Sequence, residues 1–345
     1  MPTLKDALDL IGKLTKTEQE SLKMILLRPT PTRVLDIEEF LTDKKFSNGR
    51  VCPHCGKSHI VRNGHRADGT QRYKCKDCNK TFVVASNSIV SGTHKDLDVW
   101  QKYIECMMNG TSIRKAATIC GINRNTAFIW RHKILDALQN MANEVELDGI
   151  VEADETFFPI SYKGNHSKSS KFTMPRPAHQ RGHATHLRGI SKEKVCVPCA
   201  VNRNGLSIAK VANLGRVSTK NLHSVYDGRI KEDATICTDK MNSYKRFASK
   251  NNIDLVQLKS GKSKQGIYNI QHINSYHSEL KRFLYAFKGV STKYLNNYLI
   301  WHNFVNYAKE TDEEKKIILL TYVMTTSKSI TNQELSNRPA IPLLA

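Results

Sequence analysis

Two pairs of cysteines near the N-terminus carry the clearest chemistry in the sequence. Cys52-Pro-His-Cys55 and Cys75-Lys-Asp-Cys78 form a CxxC-x19-CxxC pattern. Two thiolates separated by two residues sit on one tight knuckle and point at one metal ion. Two knuckles supply four sulfur ligands, which closes a tetrahedral zinc site with no position left open, so the ion predicted here is structural. The residues between the pairs are basic or turn-forming: Arg62, Asn63-Gly64, Arg66, Asp68-Gly69, Arg72 and Lys74. That composition predicts a zinc ribbon, a small hairpin-based module suited to nucleic acid. Nine cysteines, an odd number, fit a reducing compartment better than a disulfide scaffold.

A second set of chemically competent residues lies further along the chain. Phosphodiester chemistry with two divalent ions needs oxygen ligands gathered from separate elements. The ions lie about 4 Å apart and stabilise the attacking and leaving oxygens of an in-line displacement. Mg²⁺ takes carboxylates, carbonyls and waters. Asp154 lies in the apolar segment Gly149-Ile-Val-Glu-Ala-Asp-Glu-Thr-Phe-Phe158, which reads as a strand. Alternation places Glu152, Asp154 and Thr156 on one face and Glu155 on the other. A carboxylate in such a strand is costly to bury alone, and a metal ion is a suitable partner. Asp239 closes the short strand Ala234-Thr-Ile-Cys-Thr-Asp239, just before a turn and a helix. A strand-end acid there would face a site; its bland use is a turn or helix cap.

The third ligand is expected from a helix beginning near Asn274. At about 100° per residue, Asn274, His277 and Lys281 form one stripe beside an apolar face of Tyr276, Leu280, Phe283, Leu284 and Phe287. Asn274 offers a carbonyl oxygen acceptable to Mg²⁺, and it could also serve as an N-cap. His277 offers nitrogen, better suited to softer metals. Lys281 could steady a phosphate. Glu279 is the nearby acid, but its helical angle takes it well off the stripe. Cys196-Val-Pro-Cys199 lacks a second pair and sits in a core-like strand, so apolar packing is expected of it rather than metal binding.

These residues need elements to hold them. A chain of 345 residues has room for two or three domains. Its formal net charge of +21 implies a polyanionic partner, because each phosphate neutralised by Lys or Arg releases counterions. No apolar run approaches the roughly 18 residues a bilayer span requires. Lys5, Asp6, Asp9 and Lys13 interrupt any signal-like stretch, so a cytoplasmic, nucleoid-associated protein is expected.

Residues 1–48 read as an N-terminal helical segment, with a capping box at Thr17-Glu-Gln-Glu20. Residues 49–92 hold the ribbon, with Tyr73 and Phe82 as strand aromatics. Residues 93–147 have the rhythm of a helix-turn-helix: Ile113, Ala116 and Ala117 pack one helix and Gly121 sits at the turn. Thr126 through Lys133 would be the recognition helix, offering Arg124, Arg131, His132 and Lys133 to phosphates or base edges. From residue 148 to 310 the pattern becomes three strands, a helix, a strand, a helix, a strand and more helices. That is the order of a ribonuclease-H-like α/β fold, a mixed sheet with flanking helices. Within it, residues 161–188 carry Lys163, Lys168, Lys171, Arg176, Arg181 and Arg188, four histidines and no carboxylate. This basic insertion is expected to lie against nucleic acid. Residues 311–345 form a helical tail.

Zinc ribbon, helix-turn-helix and ribonuclease-H-like domain, in that order, resemble bacterial insertion-sequence transposases of the acidic-triad type. The likeness is to the zinc-ribbon subgroup, in which asparagine or histidine with a downstream lysine often replaces the third acid. The matching segments are Cys52-Pro-His-Cys55, Tyr73-Lys-Cys-Lys-Asp-Cys-Asn-Lys-Thr-Phe82, Ala153-Asp-Glu-Thr156, His272-Ile-Asn-Ser-Tyr-His-Ser-Glu-Leu-Lys-Arg-Phe283 and Gly289-Val-Ser-Thr-Lys-Tyr-Leu-Asn-Asn-Tyr298. The resemblance implies that Asp154, Asp239 and Asn274 bind two Mg²⁺ or Mn²⁺ ions and that Lys281 contacts the substrate. It also implies double-stranded DNA, as terminal inverted repeats and as target, and a homo-oligomer assembled on it. The third position departs from the acidic triad and leaves Asn274 open against His277. The expected function is a DNA transposase catalysing strand cleavage and strand transfer. Its rivals are a zinc-ribbon and helix-turn-helix regulator without catalysis, and a structure-specific nuclease of the same fold.

Overall fold

The computed structural model describes residues 49–164, 187, 189–258, 264–307, 310–325 and 331–343, together with 15, 42, 43, 45–47 and 173. Almost all of the expected N-terminal helical segment lies outside the described residues, as do Lys168, Lys171, Arg176, Arg181 and Arg188 of the basic insertion.

The ribbon is a three-stranded antiparallel sheet of β1 (Ile60–His65), β2 (Gln71–Cys75) and β3 (Thr81–Phe82). Asp68-Gly69 turns the first hairpin, and the Asp68 carboxylate accepts from the Thr70 amide at 2.9 Å. Tyr73 pairs with Phe82 across β2 and β3, and their rings stack 5.6 Å apart over the second knuckle.

Three helices follow: α1 (Leu97–Met108), α2 (Ile113–Ile119) and α3 (Arg124–Asn143). Ser112 caps α2 by accepting from the Lys115 amide. Gly121, at φ +60°, makes the turn, and Asn123 accepts from the Asn125 amide to start α3. Trp100 stacks on Trp130 at 3.6 Å to join α1 to α3. The helix-turn-helix rhythm is therefore realised, but the expected Thr126–Lys133 helix is only the early part of a helix of 20 residues.

A second departure concerns which side chains face out. Arg131 and His132, expected to be offered to DNA, are 4% and 1% exposed. The cause is that α3 is covered on two sides. Ala127, Trp130, Ile134 and Leu138 meet α1 and α2, while the opposite side packs on α7 (Leu295–Asn306). His132 stacks on Tyr294 at 4.0 Å.

Residues 150–258 build a six-stranded sheet of β4 (Ile150–Pro159), β5 (Lys194–Asn202), β6 (Ser207–Ala209), β7 (Asn213–Leu214), β8 (Thr235–Thr238) and β9 (Asp254–Gln257). The order is β6-β5-β4-β8-β9, with β7 also on β5. β5 is antiparallel to β4, β6 and β7; β8 runs parallel to β4, and β9 parallel to β8. Helix α4 (Thr219–Tyr226) leads into β8, and α5 (Asn242–Asn251) joins β8 to β9. This is the expected ribonuclease-H-like α/β order.

Both faces of the sheet are buried, which explains its near-continuous apolar strands. Val151, Ala153, Cys196 and Ala200 pack against α4 and α5 through Leu222, Tyr226 and Phe247. Val195, Val197, Cys199 and Val201 pack against α6 (Gln271–Ala286) and α7 through Ile273, Tyr276, Leu280 and Leu299. Cys196 and Cys199 thus enter opposite cores, so their thiols cannot share an ion, as expected. A small hairpin, β10 (Lys264–Gln265) and β11 (Tyr268–Asn269), precedes α6. The tail helix α8 (Asp312–Thr325) joins the core of the ribbon and α1–α3 through Leu319 and Val323, beside Trp301 and Phe304 of α7. Among the described residues, no helix is long and apolar enough to cross a membrane.

Candidate active site and zinc centre

The zinc centre follows from the two knuckles. The Sγ atoms of Cys52, Cys55, Cys75 and Cys78 all lie within 4.8 Å of one another. Cys52 is 3.7 Å from Cys78 and Cys55 is 3.6 Å from Cys75. Four thiolates at 2.3 Å from one ion stand about 3.8 Å apart in a tetrahedron, and a disulfide needs about 2.05 Å. The spacing therefore fits zinc and not a disulfide. Each knuckle turns back on a residue with positive φ, Gly56 at +72° and Asn79 at +58°. Those turns let the amides of Cys52 and Cys75 donate to the carbonyls of Lys57 and Lys80 at 2.8 and 3.0 Å.

In the sheet, β4 and β8 run parallel with Val151 opposite Ile236 and Glu152 opposite Cys237. Asp154 follows the part of β4 paired with β8 by two residues and Asp239 follows the last residue of β8, close enough that its charge acts on the Asp154 carboxyl. The paired register ends at Glu152 and Cys237, while β4 continues to Pro159 on β5 alone. A crevice at the carboxyl ends of diverging parallel strands is where α/β sheets place ligands. Gln257 of β9 fixes the loop carrying Asp239, its amide donating to the carbonyls of Asp239 and Met241 at 3.1 and 3.0 Å. The N-cap position of α5 is Met241, so Asp239 is not that helix's cap.

Helix α6 packs on the Asp154 face of the sheet, against β4 and β5. Of its expected apolar face Tyr276, Leu280 and Leu284 are buried, together with Ile273, while Phe283 and Phe287 are half-buried. Beside these residues, His277 Nδ1 lies 3.9 Å from Asp154 Oδ2. The imidazole is 7% exposed, and burial drives its pKa down to about 4. It is therefore neutral, the 3.9 Å approach is no ion pair, and Nε2 has no hydrogen-bond partner. Lys281, one turn on, is exposed and close enough that its charge opposes the rise in the Asp154 pKa. Asn274 is exposed in the second turn of a helix that begins at Gln271, so it is not the N-cap. Glu279 is engaged elsewhere, accepting from the Tyr307 hydroxyl at 2.7 Å and from Ser275 at 3.3 Å.

In this crevice burial outweighs the nearby positive charge of Lys281. Burial raises the Asp154 carboxyl to about 6, and the neighbouring charge of Asp239 adds to the rise. Burial also raises Asp239. On the opposite face Glu155, which alternation had separated from Asp154, is pushed by burial to about 7, although Tyr244 opposes the shift. The hydroxyl of Thr156, on the Asp154 face, is buried without a partner. Two carboxylates, a neutral imidazole with an unpartnered ring nitrogen and an orphaned hydroxyl are the kinds of donor that a divalent cation takes.

One contact lay outside sequence reasoning. Glu152, two residues before Asp154 on the same face, is 1% exposed. Its carboxylate accepts from the backbone amides of His272 and Ile273 at 2.8 and 3.2 Å, and the His272 ring lies 2.8 Å away. Alternation located Glu152 on this face, but capping patterns are local, and these partners are 120 residues distant.

Comparison with known proteins agrees with this architecture. Residues 146–304 match the family model of the ISXO2-like transposase domain, and residues 36–81 match that of the transposase zinc-ribbon domain. A Halobacterium salinarum protein, described as an uncharacterized protein in transposable element ISH50, is 25% identical over 264 residues, or 75% of this chain and 86% of that protein. Solved structures with some likeness include the Mos1 strand transfer complex, at 10% identity, 72% of this chain, 80% of that chain and a TM-score of 0.29. A pre-cleavage Mos1 transpososome follows at 10% identity, 66% and 79% coverage and a TM-score of 0.22. The resemblance to zinc-ribbon insertion-sequence transposases is borne out by the two domain matches, which fall on the ribbon and on the α/β domain in the expected order.

Proposed function

We propose that the chain is a DNA transposase, cleaving DNA at the ends of an insertion sequence and joining the freed 3′ ends to target DNA. The observation that carries this reading is Asp154 on β4 with the charge of Asp239, just past the end of the parallel neighbour β8, acting on it and His277 Nδ1 3.9 Å from it. Asp154 and Asp239 would hold the ions, with His277 as the third side-chain ligand in preference to Asn274, since its ring nitrogen is unpartnered and held neutral. When bound, two Mg²⁺ or Mn²⁺ ions supply charge at the attacking and leaving oxygens of an in-line displacement. Lys281 would orient a phosphate, and the imidazole's preference for softer ions favours Mn²⁺ over Mg²⁺.

The DNA path is read from charge. A cleft of about 1270 Å³ lies between the start of α3, the Lys163 loop, residues 289–294 and the C-terminal tail. Arg114, Arg124, Lys163, Lys293 and Arg338 line it, and no carboxylate does among the described residues. Arg338 is paired with Asp136 at 2.6 Å, while Lys163 and Lys293 donate to the carbonyls of Gly289 and Ser336 at 2.7 and 2.6 Å and keep their charge, so among the described residues four uncompensated positive charges face the cleft. The ribbon, with Arg62, Arg66, Arg72 and Lys74, would read the element ends beside it.

The test compares wild type with Asp154→Asn on terminal-repeat duplexes. The variant should bind ends as wild type does and lose cleavage and strand transfer by about a thousandfold or more, the equivalent of roughly 4 kcal/mol of transition-state stabilisation. Equal activity would refute the site. Pre-cleaved ends presented with target DNA separate a transposase, which joins them, from a nuclease, which does not.

A further inference from the structure

We infer that Glu152 is a positioning residue: it ties the start of α6 to β4, and the divalent-ion affinity of the Asp154–Asp239 crevice depends on that tie. The inference rests on the metal-site reading above. The N-cap position of α6 is Ile270, which supplies no side-chain acceptor. Asn269 Oδ1 accepts from the Gln271 amide at 3.0 Å, and the next two amides, of His272 and Ile273, have no local acceptor. Glu152 satisfies both across the fold, at 2.8 and 3.2 Å, and its other oxygen meets the His272 ring at 2.8 Å and Arg203 at 3.3 Å. An anion at a helix N-terminus also opposes the positive end of the helix dipole.

A cap needs no reach across the fold, because Ser, Thr, Asp or Asn at position 270 would do that work locally. What the distant carboxylate adds is registration. One strand carries the ion-facing acid at 154 and, on the same face, the clamp at 152. The clamped amides at 272 and 273 precede His277 by four to five residues, about 6–7.5 Å along one rigid helix. Holding the helix start therefore sets where His277 and Lys281 stand relative to Asp154. Ile270 meanwhile packs in the core beside the sheet.

Glu152→Gln, Glu152→Asp and Glu152→Ala in the full-length, zinc-loaded protein test this by Mn²⁺ titration without DNA and by hydrogen exchange at residues 271–277. Gln keeps an acceptor at full length, so its Mn²⁺ affinity should stay within about threefold of wild type. Asp and Ala should bind Mn²⁺ about tenfold to a hundredfold more weakly, the usual cost of losing a residue that orients a ligand. Both should also exchange faster at His272 and Ile273. In cleavage assays Asp should raise the Mn²⁺ concentration for half-maximal rate far more than it lowers the saturated kcat. If Asp and Ala bind Mn²⁺ as wild type does, the tie has no role in the site. If Gln is as weak as Ala, the carboxylate acts by charge and the positioning inference is overturned. If wild type binds no Mn²⁺ that Asp154→Asn removes, the metal-site reading itself falls and the inference with it. Should Ala fail to fold, Gln against Asp decides between the same outcomes.

Discussion

The guanidinium of Arg131 donates to the carbonyl of Thr111 at 2.7 Å, inside the helical module. Arg124, seven residues earlier on the same helix, is exposed and lines the basic cleft. The two arginines should therefore fail differently. Arg124→Ala, like Lys293→Ala, should lower the slope of log K against log salt for duplex binding by about 0.9 per residue. Arg131→Ala should leave that slope unchanged and instead cost about 1–3 kcal/mol of stability, because it strands a carbonyl beside a new void. Equilibrium binding at several salt concentrations, with denaturant unfolding, distinguishes the two.

His132 predicts a pH dependence of folding. Burial, reinforced by the charges of Arg338, Arg131 and Lys293, lowers its pKa to about 3. The unfolded chain takes up this proton near pH 6.5 while the folded chain resists it. A depressed folded pKa gives stability that is fully present above pH 6.5 and is lost as pH falls toward 3. His132→Gln should flatten that part of the profile, measured as the denaturation midpoint at steps between pH 7 and pH 4. A variant whose profile parallels wild type would show that His132 titrates freely.

Zinc removal should reach beyond the ribbon. Cys52, Cys75, Tyr73 and Phe82 share one core with Trp100, Trp130 and Leu319. Chelation, or Cys75→Ser, should therefore abolish binding of the element ends and also lower the thermal midpoint of the helical module. Mn²⁺ binding at Asp154 should persist, because the sheet has its own two cores. Calorimetry before and after chelation, followed by Mn²⁺ titration, checks both halves.

Much of this architecture could be read from residue patterns. The CxxC pairs, the alternation around Asp154 and the apolar stripe of α6 are short-range signals, and each is realised in the fold. What escaped the sequence depends on distant partners. Helix α3 has two buried sides because α7 packs against it, and nothing near Arg131 or His132 announces that. Helix α6 starts at Gln271 rather than Asn274; Asn269 accepts from its first amide, but the acceptor of the next two is the distant Glu152, which no pattern of local capping reveals. The preference proposed for His277 over Asn274 likewise rests on burial and an unpartnered ring nitrogen, which are properties of the packed structure.

The central claim is that Asp154 and Asp239 jointly hold divalent ions beside His277. Anomalous scattering from crystals soaked in Mn²⁺ tests it most directly. The account predicts a manganese peak in the crevice between β4 and β8, within about 2.0–2.3 Å of carboxylate oxygens from both aspartates, that vanishes in Asp154→Asn. Manganese bound elsewhere on the chain, with the two carboxylates sharing no ion, would contradict it.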